Sequence, residues 1–137
     1  MEPEDVVHVL RRLLEALAPG GAVVDLASVP PDGLVEAGGR VVGRLDESAF
    51  FARARVAAAG LDDLVAEGVL TPRANERLPV LIDYPTGADA VADVAERSYG
   101  RMPDVVATRL AAITRPVRIR EHSLVRSFTL RAAPAQK

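Results

Sequence analysis

Segments with the hydrophobic periodicity of helices alternate in this chain with runs of strand-forming residues, and glycine or proline stands at most of the changes. This alternation favours the α+β class. The helical periodicity predicts helices over residues 4–17, 47–67, 86–99 and 103–113. Strand-forming runs occupy residues 22–28, 34–37, 40–44, 69–72, 77–84 and 117–130. We therefore predict one α+β domain over residues 1–131, with about four helices and a mixed, largely antiparallel sheet of about five to six strands, followed by a disordered tail at 132–137.

Turn-forming residues divide the predicted strands. Gly38 and Gly39 can supply the positive φ angles of a tight turn, so the strands on either side of them are predicted to form a hairpin. The proline- and glycine-rich segment 30–33 indicates a loop, and the apolar run 22–28 before it is interpreted as a buried strand. A second hairpin is predicted to turn at residues 73–75.

The closing segment 117–130 is predicted to be a strand whose apolar residues change parity. Val117 and Ile119 occupy odd positions, whereas Leu124 and Phe128 occupy even ones. Because successive side chains of a strand point to opposite faces, this change requires a bulge or a tight turn near residues 121–123.

Local signals also mark the helices. Thr86 is followed three residues later by Asp89, which is a variant of the capping box that begins a helix. In the first predicted helix, Val6, Leu10 and Leu13 share one face, which we expect to be buried.

The composition limits the chemistry and the location of the chain. It has 137 residues and no cysteine, which excludes disulfides, thiolate catalysis and cysteine metal sites. Only 4% of the residues are aromatic, so the core must consist mainly of Val, Leu, Ile and Ala. The acidic N-terminus is not a secretory signal, and no apolar run reaches the roughly 18 residues needed to cross a bilayer. We expect a cytoplasmic protein without a membrane partner, and its arginine-rich composition is typical of a GC-rich bacterial genome.

The charge is unevenly distributed along the chain. Residues 1–100 carry nine arginines and seventeen acidic residues, whereas residues 101–137 carry seven arginines and one lysine against two acidic residues. Two interpretations are open: the two parts attract each other within one domain or across a dimer, or the basic part is an anion or nucleic-acid surface. No nucleic-acid-binding motif accompanies the basic part, which argues against a nucleic-acid partner.

The candidate catalytic residues lack the partners that catalysis requires. His8 is interpreted as a surface residue, and His122 as a single histidine at the proposed bulge without a nearby nucleophile. The acidic pairs at 46–47 and 62–63 are interpreted as solvent-exposed, the first at a helix N-terminus where negative charge is favourable. The glycine pairs match neither a P-loop nor a dinucleotide-binding loop. The sequence therefore assigns no catalytic, cofactor-binding or metal-binding residues, and no cofactor.

Three residues of the closing strand are candidates for anion binding. Arg118, Arg120 and His122 are spaced two apart, so a strand places them on one face. Alternate arginines on a strand can hold a phosphate or a carboxylate. The alternative interpretation is that they keep an exposed sheet face or edge soluble.

A family resemblance extends over most of the chain. The helix ending in Pro19-Gly20-Gly21 leads directly into an apolar strand. Further matching features are Phe50-Phe51, Asp83-Tyr84 before the Thr86 helix, and the segment 117–121. Together these features resemble the C-terminal half of class I S-adenosylmethionine-dependent methyltransferase-like proteins of actinobacterial type.

The resemblance implies a half fold without the cofactor site. In that family the glycine-rich loop and the acidic residues that bind the cofactor precede the matched segment, so no residue here takes over their role. We therefore expect a non-catalytic domain that forms a homodimer or binds a partner protein. The alternatives are a methyltransferase half that needs a separate cofactor-binding chain, and a binder of small anionic ligands.

Overall fold

The fold combines four helices with one sheet of four strands. The computed structural model describes residues 3–18, 20–97 and 100–131. In these residues the helices are α1 (Pro3–Glu15), α2 (Ser48–Ala66), α3 (Gly87–Glu96) and α4 (Asp104–Ala111), and the strands are β1 (Ala22–Ala37), β2 (Arg40–Arg44), β3 (Leu70–Tyr84) and β4 (Val117–Leu130). The sheet is antiparallel with the order β2-β1-β4-β3. The predicted α+β class is confirmed.

The prediction of five to six strands is wrong, because two pairs of predicted strands are continuous. β1 runs without a break through the predicted loop at 30–33, and β3 runs through the predicted hairpin turn at 73–75. Proline is compatible with strand positions whose N–H needs no partner, as on an edge strand. β3 is an edge strand of the sheet, and only the last part of β1 pairs with β2. The turns predicted at 30–33 and at 73–75 are therefore both wrong.

The hairpin between β1 and β2 is confirmed. Leu34 lies opposite Arg44, and Ala37 lies opposite Arg40. Gly38 and Gly39 form the turn with φ angles of 57° and 75°, which residues with a side chain rarely adopt.

The chain divides into two compact units, each with a core of its own. The first unit contains Met1–Ala27, Arg53–Arg77 and Leu124–Lys137, and the second contains Ser28–Ala52 and Leu78–Ser123. In the first unit, the buried core consists of Leu61, Leu64, Leu70 and Phe128. In the second unit, the buried core consists of Val35, Ala37, Leu45, Tyr84, Ala90, Val94, Val106, Leu110, Val117 and Ile119.

β4 contributes to both cores with side chains of different parity. Val117 and Ile119 are buried in the second unit, whereas Phe128 is buried in the first. The residues 124–127 between them are all partly buried, and the strand continues through them without a turn. The predicted change in the parity of the buried residues is confirmed. The predicted tight turn is not found, because β4 is one continuous strand.

The start of β1 is not the buried strand that its apolar sequence predicts. Exposed and partly buried residues alternate over 22–27, and the side chains of Val24 and Leu26 are 66% and 69% exposed. In α1 the expected inner face is also incomplete, because Leu10 packs against the core while Leu13 is exposed.

The remaining predicted helices agree with the structure. Thr86 accepts a hydrogen bond from the Asp89 N–H at 3.2 Å and caps α3, as predicted. The predicted tail at 132–137 and the last predicted residue of the third helix, Tyr99, lie outside the described residues. None of the helices in the described ranges combines the length and the apolar character that a membrane span requires.

Gly87 allows α3 and α4 to pack closely in the second unit. A Cβ atom at this position would overlap the backbone carbonyl oxygen of Leu110. We predict that Gly87→Ala lowers the free energy of unfolding by about 1–3 kcal/mol, because α4 has to move away. Urea denaturation of the variant measures this change.

Gly100→Ala is the matched control in the same unit. Its Cβ atom would meet the Glu47 side chain at 3.5 Å, which is an ordinary van der Waals contact. We expect its free energy of unfolding to stay within about 0.5 kcal/mol of the wild type. Equal stabilities of the two variants would contradict the account of the α3–α4 contact.

Candidate functional site

The three predicted anion-binding residues lie on one face of β4. Arg118, Arg120 and His122 alternate with residues that are buried in the second unit. Arg118 donates two hydrogen bonds to the Asp83 carboxylate, at 2.7 Å and 3.2 Å. Arg120 lies 3.6 Å from the Glu36 carboxylate. The structure thus brings the predicted residues together, but each arginine already has an acidic neighbour.

In these ion pairs the carboxylates already neutralise the positive charges of the arginines that an anion would bind to. The hydrogen bond from Arg118 lowers the pKa of Asp83, so that this carboxylate stays ionised. A shallow cavity of about 300 Å³ beside Arg118 is also lined by Glu36 and Asp83. An anion at this position would have to compete with both carboxylates. Anion binding by Arg118, Arg120 and His122 therefore stays a prediction.

A pair of carboxyl groups that the sequence pattern does not predict is buried in the second unit. Glu47 is 2% exposed and Glu121 is 6% exposed. The interpretation of residues 46–47 as solvent-exposed is wrong for Glu47, although it does precede α2. An acidic residue is favourable next to a helix N-terminus. This local preference does not show whether its side chain points into the core or into the solvent.

β1 provides the contacts that hold Glu47 in place. The Gly33 N–H donates a hydrogen bond to Oε1 of Glu47 at 3.1 Å, and the Glu47 N–H donates to the Asp32 carboxylate at 3.0 Å. A Cβ atom at position 33 would lie 2.8 Å from the same Oε1 atom. Glycine is therefore required here by the close approach of the carboxyl group, and not by a loop.

Arg97 connects Glu121 to a second set of polar groups. Its Nη1 lies 3.3 Å from the Glu121 carboxylate, and its Nε donates to Asp93 at 3.1 Å. The Tyr84 hydroxyl group also donates a hydrogen bond to Asp93. The Arg97 side chain is only 10% exposed, so burial strengthens these charge-assisted hydrogen bonds.

The surroundings of Glu47 favour its protonated form. Burial raises the pKa of Glu47 to about 7, and the charge of Glu121 adds to this effect. The pair can therefore exchange a proton near neutral pH. Because both carboxyl groups are almost fully buried, they cannot contact a substrate, and we interpret the pair as part of the core.

A second arginine is held by two acidic residues in the first unit. Arg126 donates a hydrogen bond to Asp62 at 2.8 Å and lies 3.7 Å from Asp25. Its guanidinium group also lies over the ring of Phe128, with 5.3 Å between the group and the ring centre. A largely apolar cavity of about 280 Å³ adjoins Arg126 and Asp62. The charges at this cavity are again paired within the chain.

The first part of β1 presents an unpaired strand edge. The sheet order places β4 on one side of β1 and β2 on the other, but β2 pairs only with residues 34–37. In the part of the chain that the structure describes, no strand therefore covers the outer edge of residues 22–27. The exposed side chains of Val24 and Leu26 belong to this segment. Sequence reasoning missed this surface, because the segment has the composition of a buried strand.

Neither a metal site nor a known relative identifies the function. Among the described residues, no group of three or more histidine and acidic side chains is placed to hold a metal ion. Comparisons of the chain with protein-family models, curated proteins and solved structures find no match. The resemblance to methyltransferase-like proteins thus depends on the sequence motifs alone.

The buried acidic pair predicts a specific dependence of stability on pH. Glu47 has a folded pKa of about 7, above the ordinary glutamate pKa of 4.5 that is expected for the unfolded chain. The folded protein therefore binds more protons in this interval, and stability is lost as the pH rises through it. We predict that Glu47→Gln removes this loss, on the order of 3 kcal/mol between pH 4.5 and pH 8, as measured by urea denaturation.

Glu76→Gln is the control, since Glu76 is exposed on β3. This variant should follow the pH profile of the wild type. If Glu47→Gln also follows that profile, or is less stable than the wild type at pH 8, the raised pKa of Glu47 is refuted.

Proposed function

We propose that this domain is a non-catalytic interaction domain, which acts in the cytoplasm by associating with a second copy of itself. The observation that carries the proposal is the unpaired edge of β1 with the exposed side chains of Val24 and Leu26. An unpaired strand edge offers backbone donors and acceptors to another chain. Exposed apolar side chains on the same segment add a hydrophobic contribution to such an association.

The β3 edge of the sheet in the first unit supports this proposal by contrast. In the first unit, β3 carries Pro72, Arg73, Glu76 and Arg77, all of which are exposed. Prolines and charged side chains are the features by which natural proteins prevent pairing at strand edges. Residues 22–27 contain neither proline nor a basic residue, and the single acidic one is Asp25. Within the first unit, the β3 edge carries these protective features and the β1 edge at residues 22–27 does not.

Part of the uneven charge of the chain is compensated by ion pairs within the chain. Arg101, Arg118, Arg120 and Arg126 lie in the basic part of the sequence, and each is within 4 Å of an acidic side chain from the first hundred residues. The two parts of the sequence thus compensate each other within one chain, as one of the sequence interpretations proposed. Association through the β1 edge needs no net charge.

The alternative is a methyltransferase half that requires a separate cofactor-binding chain. It depends on the sequence resemblance, and no contact among the described residues favours it. The two proposals differ in a simple observable, because a ligand that binds only the folded state raises its melting temperature. An interaction domain should not respond to S-adenosylmethionine.

We predict that the isolated protein is a dimer whose melting temperature is unchanged by S-adenosylmethionine. Size-exclusion chromatography with light scattering gives the molar mass over a range of concentrations, and a thermal melt with excess S-adenosylmethionine gives the shift. The mass of one chain is 14.5 kDa, so a dimer is easily distinguished from a monomer. Dilution should lower the mass toward that of one chain.

A monomer at every concentration would refute self-association. A clear rise of the melting temperature with S-adenosylmethionine would refute the non-catalytic assignment and favour the methyltransferase alternative. S-adenosylhomocysteine serves as a second ligand, because a methyltransferase site binds both compounds through the part they share.

A further inference from the structure

We infer that residues 22–27 of β1 pair in antiparallel orientation with the same residues of a second copy, about a two-fold axis. This inference depends on the proposed self-association and adds the surface, the orientation and the register. This pairing would join the four-stranded sheets of the two copies into one continuous sheet. In such a symmetric interface the same patch is used by both chains.

The orientation of the backbone shows which groups are available for pairing. The Leu130 N–H lies 3.5 Å from the Gly21 carbonyl oxygen, so the backbone of Gly21 faces β4. Backbone groups alternate along a strand, so those of Val23 and Asp25 also face β4. The N–H and C=O groups of Val24 then point to the open edge. The same alternation applies to Leu26.

The exposed side chains favour one register. If Val24 lies opposite its own copy, Ala22 lies opposite Leu26 of the second copy. These residues have the most exposed side chains of the segment, and they would all lie on the same face of the joined sheet. Cross-strand pairs of β-branched and aliphatic side chains stabilise antiparallel strands. Each copy would cover the apolar side chains that the other exposes.

The charge of Asp25 does not oppose this register. Val23, and not the second Asp25, lies opposite Asp25 when Val24 lies opposite itself. The Asp25 carboxylate is also partly buried and lies 3.7 Å from the Nε atom of Arg126 in its own chain. The pairing therefore brings no like charges together across the edge.

The length of the segment limits the partner to one short strand. Six residues of strand extend over about 20 Å. Gly20, with a φ of 78°, precedes the segment, and Pro30, which has no N–H, follows it. A second copy fits these limits because its own edge has the same length, the same ends and the same exposed residues.

The decisive test introduces a charge at the centre of the proposed interface. Val24→Lys places two lysines opposite each other, and we expect it to raise the dissociation constant of the dimer roughly a hundredfold or more. Val41→Lys is the matched control, because Val41 is a similarly exposed valine (64%) on strand β2. Light scattering should show a monomer for the first variant and a dimer for the second.

A second variant keeps the inference testable if Val24→Lys fails to fold. The natural chain has no cysteine, so Val24→Cys provides a single thiol. In the proposed register the two Cα atoms lie about 5.5 Å apart, which is within the range of a disulfide. Mild oxidation should give a covalent dimer with Val24→Cys and mostly monomer with Val41→Cys.

The outcomes separate this inference from the proposed function. A wild-type protein that is monomeric at all concentrations refutes both. A dimeric wild type whose mass is unchanged by Val24→Lys, or whose Val24→Cys variant forms no more covalent dimer than the Val41→Cys variant, refutes the β1 register and leaves self-association in place. Dimer loss with Val24→Lys together with efficient cross-linking at position 24 supports both.

Discussion

The position of β4 between β1 and β3 is the constraint on which the rest of the structure depends. Its side chains contribute Val117 and Ile119 to the core of one unit and Phe128 to the core of the other. Among the described residues, β4 has a hydrogen-bonded neighbour on each side, whereas no strand borders the outer edge of β1 at residues 22–27. The available edges of the sheet therefore belong to β1, β2 and β3.

β4 also determines which charges are buried. Glu121 follows Ile119 on the inner face, where it meets Glu47 and receives a hydrogen bond from Arg97. Removing one member of such a network leaves the others without partners, which costs more than the net gain of the intact contacts. The network therefore specifies how the start of α2 and the end of α3 pack within the second unit, and the raised pKa of Glu47 makes that packing sensitive to pH.

Sequence reasoning was most accurate where a local signal determines the backbone. The glycine pair at 38–39 and the Thr86 cap depend on neighbouring residues, and both are found as predicted. It failed where tertiary surroundings decide. Proline is compatible with both a turn and an edge strand, so the prolines at 30 and 31 wrongly predict a loop within β1. The predicted burial is wrong for Glu47, which is buried, and for Val24, which is exposed. Neither an acidic residue at a helix start nor a short apolar run shows which other parts of the chain cover it.

The most direct test of the central claim is amide hydrogen exchange at Val24 and Leu26 as a function of protein concentration. If their N–H groups bond across a two-fold β1 interface, they exchange slowly at high concentration and faster on dilution. The amide of Val41, on β2, serves as the internal reference, and its exchange should not change with concentration. Exchange at Val24 and Leu26 that stays fast at every concentration would contradict the account.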